Sequence, residues 1–146
     1  MDKMNIIKTI MEHVTASKKE SEKALEARLT AEVKRRGGIA LKLTSQFHRG
    51  MPDRLILLPY HTMAFVELKS TGKKPTALQE LAADKLRKWK FPCYVVDSTE
   101  SLETVLERID KRLAEEAEFS SELCRRRSRV KQGLRAEREA KKAKER

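Results

Sequence analysis

Two strand-like runs, "DRLILL" at 53–58 and "MAFVELK" at 63–69, are separated by only four residues, "PYHT". A link that short cannot carry the chain over a sheet, so the two runs must lie side by side as an antiparallel hairpin. A two-stranded ribbon is marginal by itself, and the flanking segments have to supply further strands or helices to cover it. Leu55 to Leu58 are apolar at every position, the pattern of a strand buried on both faces within a sheet.

Each run carries an acid where packing would favour none. Asp53 opens the first run, while Glu67 and Lys69 stand two apart in the second and so share one face of a period-two strand. Counted outward from the turn, Asp53 and Glu67 fall within cross-strand reach. Adjacent carboxylates repel one another, and a divalent cation between them relieves that cost; oxygen ligands of this kind suit Mg²⁺ or Mn²⁺. The same alternation also describes a half-exposed strand with a solvent-facing ion pair, and the residues alone leave both readings open.

The remaining elements follow from periodicity and punctuation. Met4, Ile7, Ile10, Met11 and Val14 predict a short amphipathic helix near the N-terminus, and Leu25, Leu29 and Val33 line a second helix from about Ser21 to Arg36. Gly37 and Gly38 stop it. "IALKL" at 39–43 alternates as a strand, and a polar loop, "TSQFHRGMP", leads to the hairpin. Thr76 is placed to cap a helix reaching about Lys90 and carrying Leu78, Leu81, Ala82, Leu86 and Trp89. "PCYVV" at 92–96 predicts a fourth strand. The closing helix runs from Ser98 to Arg112, with Leu102, Val105, Leu106, Ile109 and Leu113 on one face. A helical crossover between the third and fourth strands makes those two parallel in a mixed sheet. Trp89 and Phe91 read as core or interface packing.

Composition bounds the class. A chain of 146 residues with 39% hydrophobic content suits one domain with extensions. No apolar run approaches the roughly 20 residues of a membrane helix, and no apolar segment with a small-residue cleavage site opens the chain. Cys93 and Cys124 form no CxxC or disulfide framework, which fits a reducing compartment; an intracellular protein is expected. Of the net charge of +11, the segment 125–146 contributes +8, from 11 Lys and Arg against 3 acids. Such a tail suits the phosphates of a nucleic acid, or it is a solvated terminal helix.

In order along the chain, "EKALEARL", "KRRGGIALKL", "RGMPDRLIL", "VELKSTGKKPTALQ" and "YVVDS" resemble the virus-type replication-repair nuclease domain (VRR-NUC) in its stand-alone form, within the PD-(D/E)xK nuclease superfamily. The resemblance covers about residues 20–110. It implies an α/β, restriction-endonuclease-like core, a central mixed sheet flanked by helices, over 20–113. An N-terminal helical extension (1–19) and a basic C-terminal arm, helical or disordered (114–146), complete the expected layout.

By the same resemblance, Asp53 and Glu67 match metal-ligating carboxylates, the Leu68 main-chain carbonyl is a further oxygen ligand, and Glu26 matches the helix acid of the site. Lys69 matches the catalytic lysine and Gln79 a glutamine whose amide could orient a phosphate or water. The implied activity is Mg²⁺- or Mn²⁺-dependent hydrolysis of DNA phosphodiesters, resembling Holliday-junction resolvases that act as homodimers on branched DNA in replication, repair or recombination. A cytoplasmic setting in a bacterial or phage-infected cell is expected. His48, Arg49, Lys73 and Lys74 flank the site as candidate DNA-backbone contacts, with Arg125, Arg126 and Arg127 in the arm. The competing expectation is a non-catalytic DNA-binding module that relies on the arm.

Overall fold

The computed structural model describes residues 19–44 and 48–144; the helix expected over Met4 to Val14 lies outside the described residues. Helix α1 (Glu22–Arg35) starts where the Ser21 hydroxyl accepts from the Ala24 N–H at 3.2 Å, satisfying one of the orphan amides of its first turn. It ends at Gly37, whose φ of +76° is the left-handed conformation that a residue lacking Cβ adopts without clash. Strand β1 (Ile39–Lys42) follows, then β2 (Arg54–Leu57), β3 (Met63–Leu68), helix α2 (Ala77–Lys88), β4 (Cys93–Val96) and helix α3 (Thr99–Lys144).

The four strands lie in the order β1-β2-β3-β4. The hairpin forms as the short link requires: β2 and β3 are antiparallel, with Arg54 opposite Val66 and Leu57 opposite Met63. Tyr60 and His61 both take positive φ, the φ signs of the two-residue turn that matches strand twist. The Thr62 N–H donates to the Pro59 carbonyl across it at 3.2 Å. The α2 crossover brings β4 in parallel to β3, with Glu67 opposite Val95, and β1 completes the mixed sheet antiparallel to β2.

Alternation sorts the side chains into two layers. Ile56, Ala64, Val66, Leu68 and Val96 pack with Leu25, Leu29 and Val33 of α1 and with Leu102, Val105, Leu106 and Ile109 of α3. On the opposite face a smaller cluster joins Phe65 and Cys93 to Ala83 and Leu86 of α2, with Leu55 and Met63 partly covered beside it. One short helix on this face does not shield all of it, so β2 is not buried on both sides as its composition suggested: Leu57 remains 39% exposed.

Helix α2 departs from expectation. The buried side of α2 is made by Ala83 and Leu86, whereas Leu78, Leu81 and Trp89 face solvent, because the small Ala83 lets the helix seat closely on the sheet. Trp89 is therefore not core; Lys85 Nζ lies 5.0 Å from its ring centroid, a cation–π contact. Phe91 meets Phe65 edge-on at 6.2 Å. Helix α3 continues without a break through residue 113 to Lys144, so the described arm is helical. Past the sheet it has no partner layer among the described residues: Phe119, Leu123, Val130 and Leu134 are exposed.

The contrast between the exposed end of α3 and the core is measurable. Leu29→Ala should destabilise the protein by about 2–5 kcal/mol, the range for emptying a packed leucine site. Leu123→Ala should stay within about 0.5 kcal/mol, as at an exposed position. Urea unfolding followed by circular dichroism compares them, and equal losses would contradict the layer assignment.

Candidate active site

The site is built on the end of the hairpin. Extending the β2–β3 register one step past Arg54 and Val66 brings Asp53 beside Glu67. The two acids are held by main chain: the Asp53 N–H donates to Glu67 Oε2 at 3.2 Å, and the Leu68 N–H donates to Asp53 Oδ1 at 3.1 Å. The strand-end amides that would otherwise lack partners thereby position both carboxylates. Gly50, at φ +84°, makes the approach of this loop possible, since a Cβ there would lie 2.6 Å from the Leu78 carbonyl oxygen of α2.

Glu67, only 5% exposed, is the hub on the α2 side of the sheet. Its Oε1 pairs with Lys69 Nζ at 2.5 Å and accepts from Gln79 Nε2 at 2.5 Å. Gln79 is oriented in turn by the capping box of α2. Its Oε1 accepts from the Thr76 N–H at 2.9 Å, and its own N–H donates to the Thr76 hydroxyl at 3.3 Å. An N-terminal helix signal thus aims a side-chain amide at the carboxylate. Gly50, Pro52, Glu67, Gln79 and Val95 line a cleft of about 320 Å³.

Glu26 is linked to Asp53 through Arg54. Alternation turns Arg54 to the α1 side, where its guanidinium meets Glu26 Oε2 at 2.6 Å, while Arg54 Nε comes to 3.9 Å from Asp53 Oδ2. Arg54 is buried, and its Nε has no hydrogen-bond partner. Sequence reasoning missed Arg54; the signal available was a charged residue inside a run otherwise apolar. Lys73 and Lys74 lie exposed in the loop after β3, and Arg49 is exposed before Gly50. Arg125, Arg126 and Arg127 lie far along α3 and outside this cluster; Arg125 and Arg126 pair with Glu122 of their own helix.

The donor set tests the fit of a divalent cation. Asp53 and Glu67 offer hard carboxylate oxygens beside the main chain of Leu68, which is the chemistry Mg²⁺ or Mn²⁺ takes. Among the described residues no three His, Cys, Asp or Glu side chains converge on one metal position, so two carboxylates with main-chain oxygen and water form the fitting set. Burial pushes the Asp53 carboxyl above its ordinary range, against the Leu68 N–H bond that favours the anion, and the Glu67 charge adds to the rise. A carboxylate destabilised in this way gains from a nearby cation.

The sign of the pH dependence follows. The folded chain holds the Asp53 proton to higher pH than the unfolded chain does, so stability from this group is present at low pH and lost as pH rises above the ordinary aspartate value of 3.8. In metal-free buffer, Asp53→Asn, which keeps the acceptor for Leu68, should raise Tm at pH 7, and the gain should vanish as the pH falls toward that value. Thermal scans across pH check this; a wild-type Tm equal to that of the variant at pH 7 would refute the burial argument.

Comparison with known proteins agrees with the geometry. No protein-family profile matches the chain. A segment of 58 residues, 40% of the chain, is 48% identical to "Putative nuclease p44" of Acyrthosiphon pisum secondary endosymbiont phage 1 and spans 62% of that protein's length. A solved structure described as "VRR_NUC domain" superposes with a TM-score of 0.57 at 26% identity, covering 60% of this chain and 97% of its own. The β1-β2-β3-β4 mixed sheet with its flanking helices and this structural match give the folded core the fold of the solved VRR_NUC domain, in agreement with the ordered motifs.

Proposed function

We propose that the protein is a nuclease that hydrolyses DNA phosphodiester bonds with Mg²⁺ or Mn²⁺, selects branched DNA in the manner of Holliday-junction resolvases and works as a homodimer in replication, repair or recombination. The observation that carries the reading is the pairing of Asp53 with Glu67 at a strand end, with Lys69 Nζ 2.5 Å from Glu67. The printed description of the phage relative as a nuclease supports the same class. A dimer suits the substrate, because a four-way junction needs two related cuts and a two-fold axis supplies two equivalent sites.

In this reading Asp53, Glu67 and the Leu68 carbonyl hold the divalent cation. When bound, the cation polarises the scissile phosphate and makes a coordinated water more acidic. Lys69 brings a positive charge to the phosphate oxygens, where negative charge grows as the P–O bond breaks. Gln79 fixes the Glu67 carboxylate and offers its amide to the attacking water or the phosphate. Arg49, Lys73 and Lys74, exposed around the cleft, contact the backbone on either side of the cut.

The basic end of α3 favours a role in affinity. Its cations are spread over a solvent-exposed helix, where they meet phosphates without base-specific geometry and release counterions. A non-catalytic DNA-binding module is the second reading, and the same experiments separate it.

Wild type, Lys69→Ala and Asp53→Ala are to be compared on labelled four-way junction, flap and linear duplex with Mg²⁺, Mn²⁺ or EDTA. Cleavage that needs the metal, is lost by at least about a hundredfold in both variants and prefers the junction is expected. Salt-sensitive binding with no cutting under any condition would leave the binding module. Removing 125–146 should weaken DNA binding and flatten its dependence on salt while metal-dependent cutting of saturating substrate persists; an unchanged salt slope would exclude the arm from the interface.

A further inference from the structure

We infer that Arg54 is a positioning residue that takes the place of a second cation, holding Glu26 away from the Asp53–Glu67 pair so that each chain binds a single divalent ion. The inference rests on the nuclease reading and adds to it the number of metals and the reason for that number.

Asp53 and Arg54 are consecutive, so their side chains leave the strand on opposite faces. Asp53 falls beside Glu67 on the α2 side, and Arg54 turns to α1, opposite Val66 of the core. There Arg54 meets Glu26 at 2.6 Å and still reaches within 3.9 Å of Asp53. A guanidinium therefore sits between the two acids that a second ion would have to bridge.

Burial makes this placement binding rather than incidental. The Arg54 side chain is 7% exposed, so its guanidinium charge lies largely out of water. Its charge has to be met by carboxylates, and among the described residues Glu26 and Asp53 are the ones paired with it. The Nε donor, which makes no hydrogen bond, faces Asp53 at a distance that a small rotation would close. Removing Glu26 from Arg54 to ligate a metal would leave the guanidinium buried with poorer compensation.

Charge counting gives the same answer. Glu26, Asp53 and Glu67 against Arg54 and Lys69 leave the cluster at −1. One divalent ion turns that to +1, suited to a phosphodiester anion. A second ion would face a site already positive, and among the described residues no group of three His, Cys, Asp or Glu side chains is placed to hold it.

The test counts Mn²⁺ by isothermal titration calorimetry and by the electron paramagnetic resonance spectrum of the bound ion, with folding verified by circular dichroism. Wild type is expected to bind one Mn²⁺ per chain with an uncoupled spectrum. Arg54→Met should admit a second, spin-coupled ion, and Arg54→Lys should restore a count of one. Should Arg54→Met fail to fold, Glu26→Gln decides: it is expected to keep one Mn²⁺ with affinity within about tenfold of wild type, the lower end for residues that act through a ligand's neighbour.

Two coupled ions in wild type, a folded Arg54→Met that still takes one, or a larger loss in Glu26→Gln would each overturn the inference while leaving the metal site standing. No Mn²⁺ bound by wild type would overturn the nuclease reading together with it.

Discussion

The reciprocal clasp between Asp53 and Glu67 is the interaction on which the site depends. Each acid is held by an amide at the end of the neighbouring strand, Glu67 by the Asp53 N–H and Asp53 by the Leu68 N–H. Two like charges are thus kept adjacent by backbone geometry instead of by mutual attraction. The register that does this is itself fixed by the buried face of the hairpin, since a slip of one residue would turn Ile56, Ala64, Val66 and Leu68 out of the core. Core packing and site geometry are one constraint.

Around that clasp the sheet separates its charges by face. Lys69 and Gln79 approach Glu67 from the α2 side, and Arg54 with Glu26 lies on the α1 side. Both cations are tied to acids through the same two strands, so a change at either face is felt at Asp53 and Glu67. Low exposure at Arg54 and Glu67 raises the stakes, because an unpaired charge there would lack the solvation that water gives at the surface. The thinner cover of the α2 face leaves the cleft open along Gly50, Pro52 and Gln79.

Much of this was legible in local signals. The four-residue link declared the hairpin, Thr76 with Gln79 three residues on declared the start of α2, and Gly37 declared the end of α1. Other features were not legible, for identifiable reasons. Trp89 and Leu81 have the chemistry of core residues, yet helix rotation set by the seating of Ala83 leaves them exposed, and no periodicity count reports how closely a helix approaches a sheet. Glu26 was placed with the site on the strength of family resemblance, and its link to Asp53 runs through Arg54, from a strand 28 positions away that no local pattern reports. The helical state of the arm was open because its sequence has helix-forming residues and no buried face.

The amino-acid sequence determined the elements, their antiparallel and parallel pairing, and the placing of Asp53, Glu67 and Lys69 on one strand face, because turn length and period-two alternation act over a few residues and need no knowledge of the rest of the chain. Only the tertiary structure decided which charges meet. Gln79 reaches Glu67, and Arg54 reaches Glu26, because α2 and α1 dock on opposite faces of one sheet. Those contacts depend on packing distances between elements, which are set by the volumes of residues scattered over the whole fold.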